Sequence, residues 1–223
     1  MTTRVFVTGS GTDVGKTFVM RQAIGALRAA GRSVRALKPI ASGFDPERPA
    51  DSDPGLLLAA RDLPLSIENL DAVSPWRLRA PLSPDMAAAR EGLEIPFDDV
   101  VELCRAPAPE DFTLIEGIGG VMVPLDSRHT VLDWIATVGA PVVLVAGSYL
   151  GTLSHTLTAA AALASRGCQL RATIVSESES QPVPTEETAD VLRRFLRGTP
   201  VHVLRRSACD AGASLDWLAI LSG

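Results

Sequence analysis

Cysteine is scarce in this sequence, and its spacing matches neither a disulfide framework nor a metal site. The three cysteines, Cys104, Cys168 and Cys209, are far apart, and none belongs to a Cys-x-x-Cys or Cys/His pattern. An odd, scattered set argues against structural disulfides and zinc ligation and favours a reducing compartment. We therefore expect each cysteine to be a small buried side chain.

Long apolar runs and clusters of basic residues are also missing, and both absences restrict the partners of the protein. No stretch approaches the roughly 20 apolar residues that a membrane-spanning helix needs, and no signal peptide is recognisable at the amino terminus. The net charge is −5 without any run of Lys or Arg, whereas tight nucleic-acid binding requires clustered cations. We expect a cytoplasmic protein with no membrane or nucleic-acid partner.

Short β-branched segments alternate with longer segments rich in Ala and Leu along the chain. The length of 223 residues and the hydrophobic content of 46% fit a single domain spanning residues 1–223. The β-branched segments are almost entirely apolar, which is typical of strands covered on both faces of a parallel sheet. The alternation predicts an α/β fold with a mostly parallel, doubly wound sheet flanked by helices.

The segment boundaries follow from the apolar runs and from the glycines and prolines between them. Strands are predicted at 4–8, 33–37, 112–116, 141–146, 171–176 and 201–204. Helices are predicted at 16–30, 53–61, 84–91, 97–105, 131–138, 153–166, 185–197 and 214–221. The proline-rich segment 72–84 cannot be helical throughout and is predicted to be a loop over one edge of the domain.

A glycine-rich loop connects the first predicted strand to the first predicted helix. Residues 9–17 read GSGTDVGKT, a variant of the phosphate-binding P-loop in which Ser10 stands where a glycine is usual. Unpaired backbone N–H groups at the start of a helix bind anions, so the loop predicts a P-loop NTPase-like fold. Lys16 would reach the β- and γ-phosphates, and the Thr17 hydroxyl would bind Mg²⁺. The alternative is a glycine-rich turn without a ligand.

Magnesium in phosphoryl-transfer sites usually has one or two carboxylate ligands. Glu116 ends a predicted apolar strand and is followed by glycines, so it should lie at the sheet edge where ligands bind. Its alternative is an ordinary surface acid. A second carboxylate is expected from the acidic loop 48–55, either Asp53 or its rival Asp51. Asp53 could instead only cap the following helix, or serve as both cap and ligand.

Lys38 follows the predicted strand 33–37, which we expect to lie beside the strand that carries the glycine-rich loop. Pro39 ends this strand, so the lysine should lie at the same edge as the polyphosphate. A fixed cation there would stabilise the charge that develops during phosphoryl transfer. The alternative is a solvated surface lysine.

Five segments together resemble the dethiobiotin synthetase family. The resemblance covers residues 4 to about 175 and implies ATP- and Mg²⁺-dependent closure of the ureido ring of dethiobiotin from 7,8-diaminononanoate and CO₂. In this chemistry one amine forms a carbamate that attacks the γ-phosphate, and the second amine then displaces phosphate. The segments are VTGSGTDVGKT (7–17), KPIASG (38–43), APLSP (80–84), IEGIGG (115–120) and LGTLSHT (150–156).

The resemblance also implies roles for individual residues and a homodimer in which the partner chain completes the site. Lys16 and Lys38 match the catalytic lysines, and the metal ligands would be Thr17, Asp53 and Glu116. The nucleotide would contact Asp13, Val14, Gly15, Lys16, Thr17, Phe18, Glu116, Gly117, Ile118, Gly119, Ser176 and Glu177. The substrate would contact Thr12, Ser42, Leu150, Gly151, Thr152 and Leu153, the last four at the start of a helix whose N–H groups would bind a carboxylate across the dimer.

Several positions depart from the usual pattern of the family. Many members have an Asn-Asp pair that reads adenine where this chain has Ser176 and Glu177. A hydroxyl cannot reproduce the paired donor and acceptor of an amide, so the base preference is left open. Tyr149 replaces a common lysine, and Ile118 replaces a common alanine. His155 is interpreted as a residue of the first helical turn rather than as an acid or base.

Two other functions share the phosphate loop. An ATP-dependent amidoligase, such as those acting on corrin side chains, usually carries a glutamine-hydrolysing domain, for which this length leaves no room. A partition-type ATP switch typically has an additional lysine early in the loop, where Ser10 and Gly11 stand here. Its amphipathic basic tail is missing as well. Both functions remain alternatives to the ring-closing enzyme.

Overall fold

The computed structural model describes residues 2–206 and 215–222. Within these residues the strands are β1 (Thr3–Gly9), β2 (Val34–Leu37), β3 (Ile40–Ser42), β4 (Trp76–Leu78), β5 (Phe112–Glu116), β6 (Val142–Ala146), β7 (Leu170–Ser176) and β8 (Val201–Leu204). The helices are α1 (Lys16–Ala29), α2 (Asp53–Ala60), α3 (Ile67–Val73), α4 (Pro84–Glu91), α5 (Phe97–Arg105), α6 (Val131–Val138), α7 (Thr152–Ser165), α8 (Thr185–Phe195) and α9 (Trp217–Ser222). No helix in the described part of the chain has both the length and the apolarity needed to cross a membrane.

Six strands form one parallel sheet in the order β2-β5-β1-β6-β7-β8. Every residue of β5 and β6 is buried, because helices cover both faces of the sheet. Helices α1, α2, α3 and α9 pack in the core on one face, and α4 to α7 pack in the core on the other. The predicted α/β fold with a parallel, doubly wound sheet is confirmed.

The order of the strands corrects one expectation about Lys38. The strand before Lys38, β2, does not lie beside β1, because β5 lies between them and pairs with both. Strand β5 is buried along its whole length, whereas β2 carries the partly exposed Arg35, which suits an edge strand. Glu116 at the end of β5 therefore lies between Lys38 and the glycine-rich loop.

The segment 72–84 is not simply a loop. Helix α3 reaches into its start, and residues 76–78 form β4, which pairs in parallel with β3 in a separate two-stranded sheet. Neither β3 nor β4 was predicted, because a three-residue strand depends on a partner that is distant in sequence. The pair holds the chain that follows Lys38 against residues 79–84.

The expectations for the cysteines and the last helix are met only in part. Cys104 is fully buried in the core between α5 and α6, but Cys168 is only partly buried. Cys209 lies outside the described residues. The last predicted helix, 214–221, corresponds to α9 at Trp217–Ser222, and residue 214 also lies outside the described part.

Candidate active site

The glycine-rich loop lies between the end of β1 and the start of α1. Gly15 has φ of +92° and stands at the N-cap of α1 without any side-chain cap, so the first N–H groups of the helix remain available to an anion. A Cβ atom at Gly9 would lie 2.8 Å from the carbonyl oxygen of Gly11. Both glycines are therefore required by the path of the loop.

Lys16 begins α1, and its side chain turns back over the loop. Its ammonium group donates to the carbonyl oxygen of Gly11 at 3.2 Å, and the residue is only 7% exposed. Burial lowers the pKa of Lys16 to about 8, and the nearby ammonium group of Lys38 contributes to the decrease. A polyphosphate in the loop would supply the negative charge that this buried cation lacks.

The Thr17 hydroxyl lies between two carboxylates that come from distant parts of the chain. Its oxygen is 2.8 Å from Oδ1 of Asp53 and 2.7 Å from Oε1 of Glu116. Oε2 of Glu116 is buried and has no hydrogen-bond partner. One hydroxyl and two carboxylates, one of them with an unpaired buried oxygen, are a donor set that fits Mg²⁺.

Asp53 is the acid of the 48–55 loop that reaches this site. It is the first residue of α2, and the N-cap is Ser52, whose hydroxyl accepts from the amide of Gly55 at 3.2 Å. The idea that Asp53 caps the helix is therefore wrong. Asp51 is exposed in the short 3-10 turn Pro49–Asp51. The structure thus brings Asp53, and not Asp51, to Thr17 and Glu116.

Lys38 is almost completely buried, at 2% exposure, beside the same two acids. Its ammonium nitrogen lies 2.7 Å from Oε1 of Glu116, 2.9 Å from Oδ2 of Asp53 and 2.9 Å from the carbonyl oxygen of Gly117. Burial lowers the pKa of Lys38, but the two carboxylates outweigh this effect and raise it above its ordinary value. Lys38 is therefore an ammonium ion at neutral pH and not a solvated surface residue.

The two acids of this cluster are shifted in opposite directions. Burial raises the pKa of Glu116 above its ordinary value, and the charge of Lys38 offsets only part of this effect. Burial raises the pKa of Asp53, but the charge of Lys38 and the hydrogen bonds from Lys38 and Thr17 lower it below its usual range. In the described residues, no group of three or more His, Cys, Asp or Glu side chains is placed to hold a metal. A bound Mg²⁺ would therefore need further oxygen ligands from outside the protein.

One pocket of about 640 Å³ joins these groups. Besides the two lysines, Thr17, Asp53 and Glu116, it brings together most of the other residues expected to contact nucleotide or substrate: Thr12, Asp13, Gly15, Phe18, Ser42, Ile118 and Gly119. Residues 81–84 form one wall of the pocket, a role that was not predicted from the sequence. The APLSP segment (80–84) could have indicated this role, because it is one of the five segments of the resemblance and no function was assigned to it.

Known proteins are similar to this chain over almost its whole length. The AAA domain family matches residues 3–206. The ATP-dependent dethiobiotin synthetase of Acidiphilium cryptum is 50% identical over 216 residues, which cover 95% of this chain and 96% of the relative. That of Phenylobacterium zucineum is 46% identical over 95% of this chain and 92% of its own. This chain belongs to the dethiobiotin synthetase family.

Solved structures similar to this family member share its fold. The septum site-determining protein MinD of Pyrococcus horikoshii, complexed with Mg-ADP, has a TM-score of 0.55 and 18% identity, with 92% of this chain and 82% of that chain covered. The cell division protein FtsY of Thermotoga maritima has a TM-score of 0.55 and 15% identity, covering 100% of this chain and 68% of that one. These similarities support the P-loop NTPase fold alone.

In this dethiobiotin synthetase family member, Ser176 and Glu177 line a second pocket of about 560 Å³ on the other side of the loop. Asp13, Val14 and Gly15 line it as well. The carboxylate of Glu177 accepts from the backbone amide of Arg206 at 2.9 Å, and the Glu177 carbonyl accepts from its Nε at 3.0 Å. Glu177 therefore holds Arg206 in the wall of this pocket by hydrogen bonds. This contact was not predicted from the sequence.

The four residues expected to bind the substrate carboxylate lie at the start of α7, and none lines either pocket. Leu150 is 85% exposed, and Gly151, with φ of +99°, is an N-cap without side-chain bonding. Thr152 is buried, and its hydroxyl donates to the carbonyl oxygen of Gly147 at 2.8 Å. Leu153, the fourth of them, packs against α8 instead. The turn therefore contributes none of these four residues to the lining of the pocket that holds the two lysines of its own chain.

Proposed function

We propose that this protein is a magnesium-dependent dethiobiotin synthase, which closes the ureido ring of dethiobiotin from 7,8-diaminononanoate, CO₂ and ATP. The observation that carries the proposal is the cluster of Lys16, Lys38, Thr17, Asp53 and Glu116 in one pocket at the carboxyl ends of β1, β2 and β5. The similarity to ATP-dependent dethiobiotin synthetases over almost the whole chain supports it.

The triphosphate would lie on the glycine-rich loop. The open N–H groups of the first turn of α1 and the ammonium group of Lys16 would hold its phosphate oxygens. The base would occupy the pocket lined by Ser176 and Glu177, which adjoins the loop through Asp13 and Gly15. ATP is the expected nucleotide, because the relatives are named for it.

Thr17, Asp53 and Glu116 would hold Mg²⁺. When bound, the metal neutralises the phosphate oxygens and so assists transfer of the γ-phosphoryl group. Asp53 stays ionised because Lys38 and Thr17 lower its pKa. The buried, unpaired Oε2 of Glu116 is the atom that gains most from a cation.

Two anions must meet for the reaction, namely the carbamate formed on one amine of the substrate and the γ-phosphate. Their repulsion is large in a pocket that excludes water. Lys38 and Lys16 both border the pocket and would offset this repulsion. Attack of the carbamate on the γ-phosphate would break the bond to ADP, which leaves, and form a mixed carbamic-phosphoric anhydride. The second amine would then attack the carbamoyl carbon, lose a proton and expel phosphate, which closes the ring.

The turn Leu150–Leu153 would bind the distal carboxylate of a substrate in the partner subunit of a homodimer. The exposure of Leu150 and the uncapped start of α7 support this role. The absence of residues 150–153 from the lining of the lysine pocket in the same chain supports it as well. A free cytoplasmic enzyme fits the soluble substrates of the reaction.

The test is incubation of the purified protein with diaminononanoate, bicarbonate, Mg²⁺ and one nucleoside triphosphate at a time. We expect dethiobiotin and one phosphate per ring, with no product when a monoamine of the same length replaces the diamine. Amide formation with added ammonia would favour an amidoligase. Nucleotide-dependent dimerisation, together with a rate of ATP hydrolysis that does not change when the diamine is added, would favour the ATP switch.

A further inference from the structure

The whole chain contains only two lysines, Lys16 and Lys38, and both border the candidate active site. Their ammonium groups have different partners. That of Lys16 donates to the carbonyl oxygen of Gly11, whereas that of Lys38 bridges the carboxylates of Glu116 and Asp53. Lys38 is therefore the lysine whose charge is neutralised by the acids.

These two acids are also the ones expected to bind the metal. Oε1 of Glu116 already accepts from both the Lys38 ammonium and the Thr17 hydroxyl, at 2.7 Å each. A divalent cation held by Thr17 and both acids would lie within a few ångström of the ammonium nitrogen. At such a distance, in a buried site, two cations repel each other strongly.

Charge balance decides which form of magnesium could enter. With both carboxylates ionised, the group of Asp53, Glu116 and Lys38 carries a net charge of −1. This charge does not balance the two positive charges of a Mg²⁺ ion that enters the buried site alone. Magnesium bound to a polyphosphate brings its own negative charge, which can also attract a displaced ammonium group. The contact between Lys38 and the Gly117 carbonyl does not involve the acids and could persist.

We propose that the Lys38 ammonium and Mg²⁺ are alternative occupants of the Asp53–Glu116 carboxylate pair. A magnesium–nucleotide complex displaces the ammonium toward the pocket, and Mg²⁺ alone does not. Lys38 thus becomes available to the reacting anions only after nucleotide and metal have both bound. The identity of the displacing complex rests on the proposed function.

The first test observes Lys38 directly in the wild-type protein. Labelling with lysine carrying ¹⁵N at Nζ gives two side-chain signals, and the Lys16→Arg variant assigns them. We expect the Lys38 signal to stay unchanged with MgCl₂ alone and to shift, with faster exchange of its protons with water, when MgADP is added. Displacement by MgCl₂ alone, or an unchanged signal when calorimetry shows MgADP bound, would overturn the proposal.

The second test removes the competing charge. Lys38→Met should bind Mg²⁺ without nucleotide about tenfold more tightly than the wild type, because the carboxylates then lack a cation. Lys16→Met is the matched control, since it removes a charge from the same pocket but no contact with an acid, and its Mg²⁺ affinity should change by less than about threefold. Calorimetry at constant ionic strength measures both. Equal gains in the two variants, or none in Lys38→Met, would contradict the exchange.

Neither test uses diaminononanoate, so the two proposals can fail separately. A protein that exchanges the cations but forms no dethiobiotin would refute the proposed function and keep this inference. A protein that forms dethiobiotin while Lys38 stays on Glu116 in the MgADP complex would do the reverse. Should Lys38→Met not fold, the labelling experiment on the wild type decides alone.

Discussion

The phenolic oxygen of Tyr149 lies 2.8 Å from Nδ1 of His155, and this contact closes the turn that leads into α7. The tyrosine ring lies against Gly147, where a Cβ atom would approach it to 2.7 Å, and its hydroxyl lies close to Gly11 of the phosphate loop. The pair thus fixes the Gly151 turn relative to the loop. Both residues were noted in the sequence, but not their contact.

Tyr149→Phe keeps the ring and removes this hydrogen bond. If the turn positions the substrate, the variant should lower kcat/KM for diaminononanoate by about twofold to tenfold, as the loss of one such bond does, and leave KM for ATP unchanged. Steady-state kinetics with each substrate varied in turn measure the split. The double variant Tyr149→Phe/His155→Phe should have nearly the same kcat/KM as Tyr149→Phe alone. If the losses of the two single variants added up, the hydrogen bond between the two residues would not be the cause of the decrease.

Asp53→Asn should raise the Mg²⁺ concentration needed for half-maximal turnover. The substitution removes the charge of a metal ligand and weakens the ion pair that Asp53 forms with Lys38 at 2.9 Å. Asp51→Asn is the control, because Asp51 is exposed outside the site, and its Mg²⁺ titration should match that of the wild type. If Asp51→Asn alone shifted the titration, the assignment of Asp53 would be wrong.

Lys16→Ala and Lys38→Ala should each reduce turnover by roughly 100-fold or more. Each substitution removes an ammonium group that is fixed in place to stabilise the negative charge developing on the transferred phosphoryl group. Single-turnover assays with saturating ATP separate this effect from weaker nucleotide binding. Arg21→Ala, at an exposed position of α1, is the control for removing a positive charge. Turnover of Lys38→Ala close to that of the wild type would exclude Lys38 from the chemistry.

Two glycines of the α1 region should respond to alanine in opposite ways. Gly15→Ala places a side chain at φ of +92° and a Cβ atom 2.5 Å from Oγ of Ser176, so it should abolish nucleotide binding and cost roughly 1–3 kcal/mol of stability. Gly25→Ala, at an exposed position within the helix with open space around it, should stabilise the protein by about 0.5–1 kcal/mol. Denaturant unfolding and nucleotide titration test both. Equal destabilisation would contradict the backbone argument.

Asp133 should make the stability depend on pH in the acidic range. Burial raises its pKa, but hydrogen bonds from Thr130 and Arg166 outweigh this and lower it to about 2. Because the folded-state pKa is depressed, the stabilisation is present above the unfolded value near 4 and is lost as the pH falls toward 2. After allowance for solvent screening, we expect about 1 kcal/mol. Urea unfolding of Asp133→Asn should lack this component between pH 5 and 2.

The segments that the sequence predicted best are those with complete local signals. The predicted bounds of α4, α5, α6 and β5 agree with the structure. Helix α6, for example, begins with a reciprocal capping box between Thr130 and Asp133 and ends at Gly139 in the left-handed conformation. Strands β3 and β4 carry no such signal, because their stability comes from pairing with each other across more than thirty residues.

The residue types of the candidate site were visible in the sequence, but their contacts were not. The position next to a predicted helix and the resemblance favour Asp53 over its rival Asp51, but only the packing of α2 against α1 shows that Asp53 reaches Thr17. Likewise, the sequence placed Lys38 at the correct edge of the sheet but beside the wrong strand. The insertion of β5 makes Glu116 its direct partner.

The sequence by itself determined the parallel α/β fold, the phosphate loop and the family, because apolar periodicity, glycine positions and motif spacing are local properties of the chain. The tertiary structure alone decided that Thr17 contacts both Asp53 and Glu116, that the same pair of carboxylates holds the Lys38 ammonium, and that residues 150–153 do not line the pocket of the two lysines. These depend on the order of strands in the sheet and on the packing of distant helices, where contacts between residues far apart in the chain set the energy.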